Sequence, residues 1–286
     1  MRCAYGAVSL LVLALSVQAP IAAARDALRV CADPNNMPFS HKDETGLENK
    51  LAKVWAEKLG VPLEYTWFPQ RLGFLRNTLN ASAVDRPGYK CDVVMGVATG
   101  GGGMLTTEPY YRSTYALVYV RGRGLDDVTS GEQFAALSDE RKQKLKIGIF
   151  APTPAAEWLA GHGMTNQTVA HPVMSGDPAA YPGQLIEQDL IGKQVDAVVI
   201  WGPIAGYYAH QSHDAELVVI PLVSEPPQVQ FDFGIAVGVR FSDQDGKKEL
   251  QGLIDQTRGD IDRLLAEYHF PLVQASAPAE ATEPPH

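Results

Sequence analysis

Two histidines three residues apart, His210 and His213, come nearest to a metal-ligand pair, but no third ligand stands near them and no metal is expected. His162 and His171 stand alone between elements. The chain carries no serine elbow, no cysteine–histidine signature and no dinucleotide fingerprint. Its acids are spread too widely to single out an acid–base pair, so neither a catalytic residue nor a cofactor is assigned. Gly100 to Gly103 could cradle a phosphate on backbone N–H groups. The run lacks a following Gly-Lys-Ser/Thr and opens no helix, which favours a surface loop.

Cys31 and Cys91 are the cysteines outside the first 24 residues. In an oxidising compartment such a pair reads as a disulfide. One objection is geometric. Cys31 falls late in its strand and Cys91 at the start of its own, so adjacent parallel strands could hold the Cα atoms beyond the ~7 Å limit.

The elements that must position these residues read as follows. Leu28 to Ala32 is a strand ending in the turn cluster Asp33-Pro34-Asn35-Asn36. Leu47, Leu51, Val54, Trp55 and Leu59 recur at helical spacing before the stop at Gly60. A strand at Leu63 to Phe68, a helix carrying Leu72, Leu75 and Leu79, and the strand from Cys91 complete a βαβαβ unit with right-handed crossovers. The pattern then restarts. A polar helix lies within Gly131 to Leu145, a strand spans Leu145 to Phe150, and Thr153 caps a helix that Pro154 opens. A β run near Val169 to Val173, a helix around Leu185 to Ile191 and a strand from Val195 to Trp201 follow. Val229 to Val239 returns as a strand, and the apolar positions Leu250 to Tyr268 mark a helical region broken at Gly259. The fold class expected is α/β, with two lobes of mostly parallel sheet flanked by helices and two β crossings as a hinge. The lobes comprise residues 25–120 plus 236–273 and residues 121–235.

Ligands of parallel α/β sheets sit outside the carboxyl ends of the strands. That rule selects Asp33, Asn35, Asn36, Phe39, Trp67, Gln70 and Arg71 in the first lobe and Thr153, Trp201 and Tyr207 in the second. Tyr110, Tyr111 and Arg112 stand just before the first crossing and are candidates for the cleft or for a partner, since Tyr and Arg are favoured interface anchors. Each has a plainer reading beside it. Asx turns alone explain Asp33, Asn35 and Asn36, the tyrosines can pack the hinge, Arg112 can pair with a local acid, and Trp201 and Tyr207 can edge a core.

Residues 1–24 read as a secretory signal peptide, with Arg2 before the apolar run Val8 to Val17 and a small-residue cleavage site at Ala22 to Ala24. The apolar run is shorter than the roughly 20 residues of a spanning helix, so membrane insertion is not expected. Loss of Arg2 takes the formal charge from −9 to −10, which argues against nucleic acid as a partner. Residues 274–286, rich in Ala, Pro and Glu, read as a disordered tail.

The motifs RVCADPNNMPFS, GLENKLA, EYTWFPQRLGFLRNTL, CDVVMGV, LTTEPYYRSTYALVYV and VIWGPIAGYYA resemble the MxaJ/XoxJ-like proteins found with quinoprotein methanol dehydrogenases, which have the type II periplasmic solute-binding fold. The resemblance runs from about Leu28 to Pro271. It implies a periplasmic accessory protein, not an enzyme, that interacts with a PQQ-dependent methanol dehydrogenase, with its cytochrome c as a further partner, and supports its maturation or activation. Amino-acid-binding members of the wider class place an Arg after the strand that here ends near Thr99, and an Asp after the strand that here ends in Trp201-Gly202-Pro203. Both charges are missing in this chain, so its cleft reads as apolar and aromatic. The alternatives are a transport receptor for a small apolar or aromatic solute and, last, a dehydratase-type enzyme, which requires a carboxylate or His of displaced pKa in the cleft.

Overall fold

The structure, a computed structural model, describes residues 25–274 apart from Met174, Gly176 and Pro178. The expected signal peptide and residues 275–286 of the expected tail lie outside the described residues.

Strand β1 (Leu28–Ala32) is followed by a small hairpin, β2 (Asn35–Asn36) with β3 (Ser40–His41), and by helix α1 (Leu47–Leu59). Then come β4 (Leu63–Trp67), the single-turn α2 (Phe74–Asn77), β5 (Val93–Ala98), β6 (Leu105–Thr106) and the ten-residue β7 (Tyr111–Val120). The second half holds α3 (Gly131–Ala135), α4 (Asp139–Lys142), β8 (Ile147–Ala151), α5 (Pro154–Gly161) and β9 (Thr168–Pro172). A π-helix, Leu185–Ile191, precedes β10 (Ala197–Trp201), α6 (Gly202–Gln211) and β11 (Leu217–Pro221). The chain returns through β12 (Asp232–Val239) to α7 (Gln244–Gln256) and α8 (Arg258–Glu267).

Hydrogen bonding runs through the strands in the order β4-β1-β5-β12-β7-β10-β8-β9. At one end β4, β1 and β5 are parallel; at the other, β10, β8 and β9 are parallel. Strand β7 joins the two. Its residues Tyr111 to Thr114 pair antiparallel with β12, and its residues from Tyr115 on pair with β10 on one side and β11 on the other. Side chains alternate across a strand, so a strand with both faces covered is apolar at every position. In β7, Leu117 and Tyr119 enter one core with Phe134 and Trp158, while Ala116, Val118 and Val120 enter another with Leu185 and Ile204. In β1, Leu28 and Val30 pack under α1, α7 and α8 and Cys31 faces Phe74 and Leu79, while Arg29 pairs with Asp26 and Glu64.

The segment after α8 ties the two ends together. Ser113 Oγ donates to Pro271 O, Leu272 forms a bridge with Ser113, and Val273 N donates to Arg112 O. The same segment lies on α6. A Cβ at Gly206 would meet His269 O at 2.0 Å, and the His210 and His269 rings stack with centroids 3.5 Å apart.

Several boundaries differ from expectation. The helix over Leu72 to Leu79 shrinks to one turn and leaves Leu72 85% exposed. The C-terminal helices break at Thr257, not Gly259. The buried Thr257 hydroxyl accepts from Trp55 Nε1 at 2.9 Å and donates to Leu253 O at 2.6 Å. The polar helix of the second half divides into α3 and α4, and β11 was not anticipated.

Cys31 and Cys91 are bonded, with Cα atoms 5.4 Å apart and both residues buried. The span they close is 60 residues, for which the loop-closure entropy model gives about 4 kcal/mol. Cys91→Ala is therefore expected to lose stability of that order in urea unfolding under non-reducing conditions. A loss below about 1 kcal/mol would contradict the assignment.

Candidate functional site

Between the two ends lies a cavity of about 390 Å³. One wall is the turn Asp33 to Asn36 with Pro69, Gln70 and Arg71; the other is formed by Phe150, Pro172, Tyr181 and Ile204, among others. The turn and the second loop are held by one carboxylate. Asp33 Oδ1 accepts from Asn35 N at 2.8 Å, and its Oδ2 accepts from Gln70 N. Asn36 Nδ2 donates to Gln70 Oε1 at 3.0 Å. Five of the residues selected from the sequence (Asp33, Asn35, Asn36, Gln70 and Arg71) thus meet at one mouth. The Asx-turn role of Asp33 is part of what builds it.

The other selected residues lie elsewhere. Phe39 and Trp201, with Met37 and Tyr207, pack against the core under α1 and also against the core under α6, so they fill the space between the two ends. Phe39 meets Phe270 edge-on at 5.8 Å; Trp201 meets Tyr115 at 5.5 Å and Phe233 at 6.1 Å. Tyr207 stacks on Tyr268 beside a separate opening that it shares with Lys50 and His210. Trp67 stacks on Tyr65 under the Lys42 ammonium. Tyr110 and Tyr111 are 2% and 7% exposed, inside the first core and not on a cleft wall. Arg112 Nη2 pairs with Asp232 Oδ2 at 2.7 Å, the local-acid reading. The Thr153 hydroxyl turns back to Phe150 O and does not cap α5. The Gly100 to Gly103 run is a loop between β5 and β6.

A residue not singled out from the sequence is the most perturbed acid near the cleft. Glu48 is half-buried in the first turn of α1, and its carboxylate lies against Gly96 of β5, where a Cβ would meet Oε1 at 2.0 Å. Gly96 also has φ +69°, so glycine is required there twice over. Burial, with the nearby Asp33 carboxylate adding to it, pushes the Glu48 carboxyl up to about 8. Burial likewise drives the Tyr110 and Tyr111 hydroxyls upward, with the Gly96 backbone opposing the shift at Tyr110. Glu48 lines neither the mouth cavity nor the opening beside Tyr207. The signal available in the sequence was an acid directly after Gly46-Leu47, at a helix start aimed toward the sheet edge.

A carboxyl whose folded pKa is raised keeps its proton while the unfolded chain has lost it. Its stabilising contribution is therefore complete below about 4.5 and disappears as the pH rises through about 8. Wild type should lose stability across that window relative to Glu48→Gln, by on the order of a few kcal/mol, in urea unfolding measured at intervals of pH. Parallel curves for the two proteins would contradict the assignment.

No family model matches the chain. The protein MoxJ of Paracoccus denitrificans is 26% identical over 279 residues, 92% of this chain and 95% of that one. The crystal structure of MxaJ from Methlophaga aminisulfidivorans MPT superposes with a TM-score of 0.71 at 24% identity, over 86% of this chain and 100% of that one, which shows the shared fold. The crystal structure of the periplasmic binding protein XoxJ from Methylobacterium extorquens AM1 is 34% identical, with a TM-score of 0.64, over 86% of this chain and 99% of that one. At that identity and over nearly all of XoxJ, with the same α/β architecture, this chain belongs to the MxaJ/XoxJ-like family of type II periplasmic binding proteins.

Proposed function

We propose that the protein is an exported, solute-binding-like accessory of the periplasm that supports the maturation or activation of a PQQ-dependent methanol dehydrogenase through protein contact, without catalysing a reaction itself. The observation that carries this reading is the filled cleft: Met37, Phe39, Trp201 and Tyr207 occupy the space between the two cores. These side chains are partly buried, so each contributes less than the roughly 1.5–3 kcal/mol of full burial, and a solute seated there would have to displace them. Its relatives carry the names MoxJ, MxaJ and XoxJ, and the sequence motifs resemble the accessory proteins of quinoprotein methanol dehydrogenases. The lobes are assigned to residues 25–120 plus 236–273 and 121–235, hinged at β7 and β12.

A transport role for a small apolar or aromatic solute has the mouth cavity in its favour, since about 390 Å³ is within the range of small-molecule sites. Thermal unfolding against a solute library separates the two readings: a ligand at 100 times its Kd adds about 2.7 kcal/mol.

The accessory reading predicts that the mature chain co-elutes with the quinoprotein dehydrogenase, with or without its cytochrome c, and that no library solute gives a shift that Gln70→Ala, at the mouth cavity, abolishes. It also predicts that deletion lowers active, cofactor-loaded dehydrogenase. Normal loading and activity after deletion would contradict it.

A further inference from the structure

Where β7, β12, the 222–230 loop and the chain after α8 meet, a second cavity of about 740 Å³ opens, sharing no wall residue with the mouth cavity. We propose that it is a binding site for a small monocarboxylic acid with an apolar body, held through Arg112.

The walls are aliphatic: Leu222, Val223, Val229 and Val273, with the adjacent prolines at 226 and 227. Val223 is 81% exposed, an apolar surface without cover. The polar groups are not equally available. Asp232 accepts from Ser224 Oγ and from Arg112 Nη2, and these two bonds, Ser224 first, hold its carboxyl below the ordinary value. Ser224 Oγ in turn accepts from Phe231 N at 2.8 Å and Asp232 N at 3.2 Å. The Thr114 hydroxyl donates to Leu222 O, and Gln230 Nε2 donates to Asp232 O. The acceptors and hydroxyls named are therefore already engaged, whereas among the described residues Arg112, with its side chain 27% exposed, spends one of its five N–H donors on Asp232; its Nε is buried away from the cavity, so a ligand would meet the remaining Nη donors. The unspent capacity is that of a cationic donor fork, whose natural complement is a second carboxylate. The aliphatic walls then set the rest of the ligand. A cavity of this size with a few convergent polar groups has the usual make-up of a small-molecule site.

The location gives occupancy a consequence. Arg112 lies on β7 and Asp232 on β12, the two strands that cross between the ends of the molecule, and Val273 belongs to the segment that braces them. A ligand here would touch both strands that join the two ends, and the segment that braces them, without entering the cleft.

The test is thermal unfolding of the mature chain with isovalerate, octanoate and benzoate, each compared with its carboxamide. At about 100 times its Kd at least one acid is expected to raise the midpoint by about 5–10 °C, with no response to its amide. Arg112→Gln should abolish the shift. Because that substitution also leaves Asp232 without its guanidinium, Val223→Asp is the second variant: the position is exposed, so the fold should be retained, and binding should weaken at least tenfold. Gln70→Ala, at the mouth cavity, should leave the shift intact. Absence of a shift with every acid, an equal shift with the amides, or a shift that survives Val223→Asp would each overturn the proposal.

Discussion

One strand serves two sheets. Residues Tyr111 to Thr114 of β7 are bonded to β12, and from Tyr115 on the strand is bonded to β10 and β11, so backbone hydrogen bonding runs unbroken from one end of the molecule to the other. Each backbone group needs a partner when buried, and the side of β7 left open before β10 begins is taken by the chain after α8, through Leu272 and Val273. That brace also packs on α6, where only glycine at position 206 leaves room for His269 O. The two ends are therefore coupled by two strands, a brace and a helix contact. Any change in their relative angle has to be absorbed at both crossings, at Thr114 and Tyr115 of one strand and at Phe231 and Asp232 beside them.

The same constraint governs the cleft. With the ends held in this relation, Met37 and Phe39 from the hairpin after β1 meet Trp201 and Tyr207 from the start of α6, and each packs on both cores. What remains open is the mouth, framed by the Asp33 turn, and the separate opening beside Tyr207. Beneath it, Glu48 keeps a proton that a solvated carboxylate would release, because the Gly96 backbone closes over it and Asp33 stands near. A displaced carboxyl pKa is one mark of a catalytic acid, but here the acid lines neither cavity between the two ends. Its perturbation is accounted for by packing.

The parts of this architecture that were legible in the sequence are those set by local pattern. The runs Val93 to Met95 and Ala197 to Ile200 are apolar on consecutive residues because both faces are covered, Leu28 to Ala32 is interrupted by the ion-paired Arg29, and the strand-end rule then reached Asp33, Asn35, Asn36, Gln70 and Arg71. The misreadings lie where a distant partner decides. Leu72, Leu75 and Leu79 have helical spacing, but the chain turns at Gly73, with φ +88°, and Leu72 is left in solvent. The helix break at Thr257 depends on Trp55, about 200 residues earlier in sequence, for its hydroxyl's second bond. Cys31 and Cys91 looked too far apart along their strands; Asp92 N bonds Arg29 O, which brings Cys91 alongside β1 before β5 begins. Tyr110 and Tyr111 offered the chemistry of an interface, and only the packing of Phe270 and α1 around them shows that they are core. Glu48 was hidden for the same reason, since the direction of one carboxylate from a helix start is a tertiary fact.

The central claim is that the cleft is occupied by the protein's own side chains and so is not a chamber that opens and closes around a solute. Spin labels at the exposed positions Glu57 on α1 and Glu132 on α3 report the separation of the two ends directly. The account predicts a single narrow distance distribution for the mature chain, unchanged by small solutes and broadened by Phe39→Ala. Two populations in the unsubstituted protein, with a solute shifting one into the other, would contradict it.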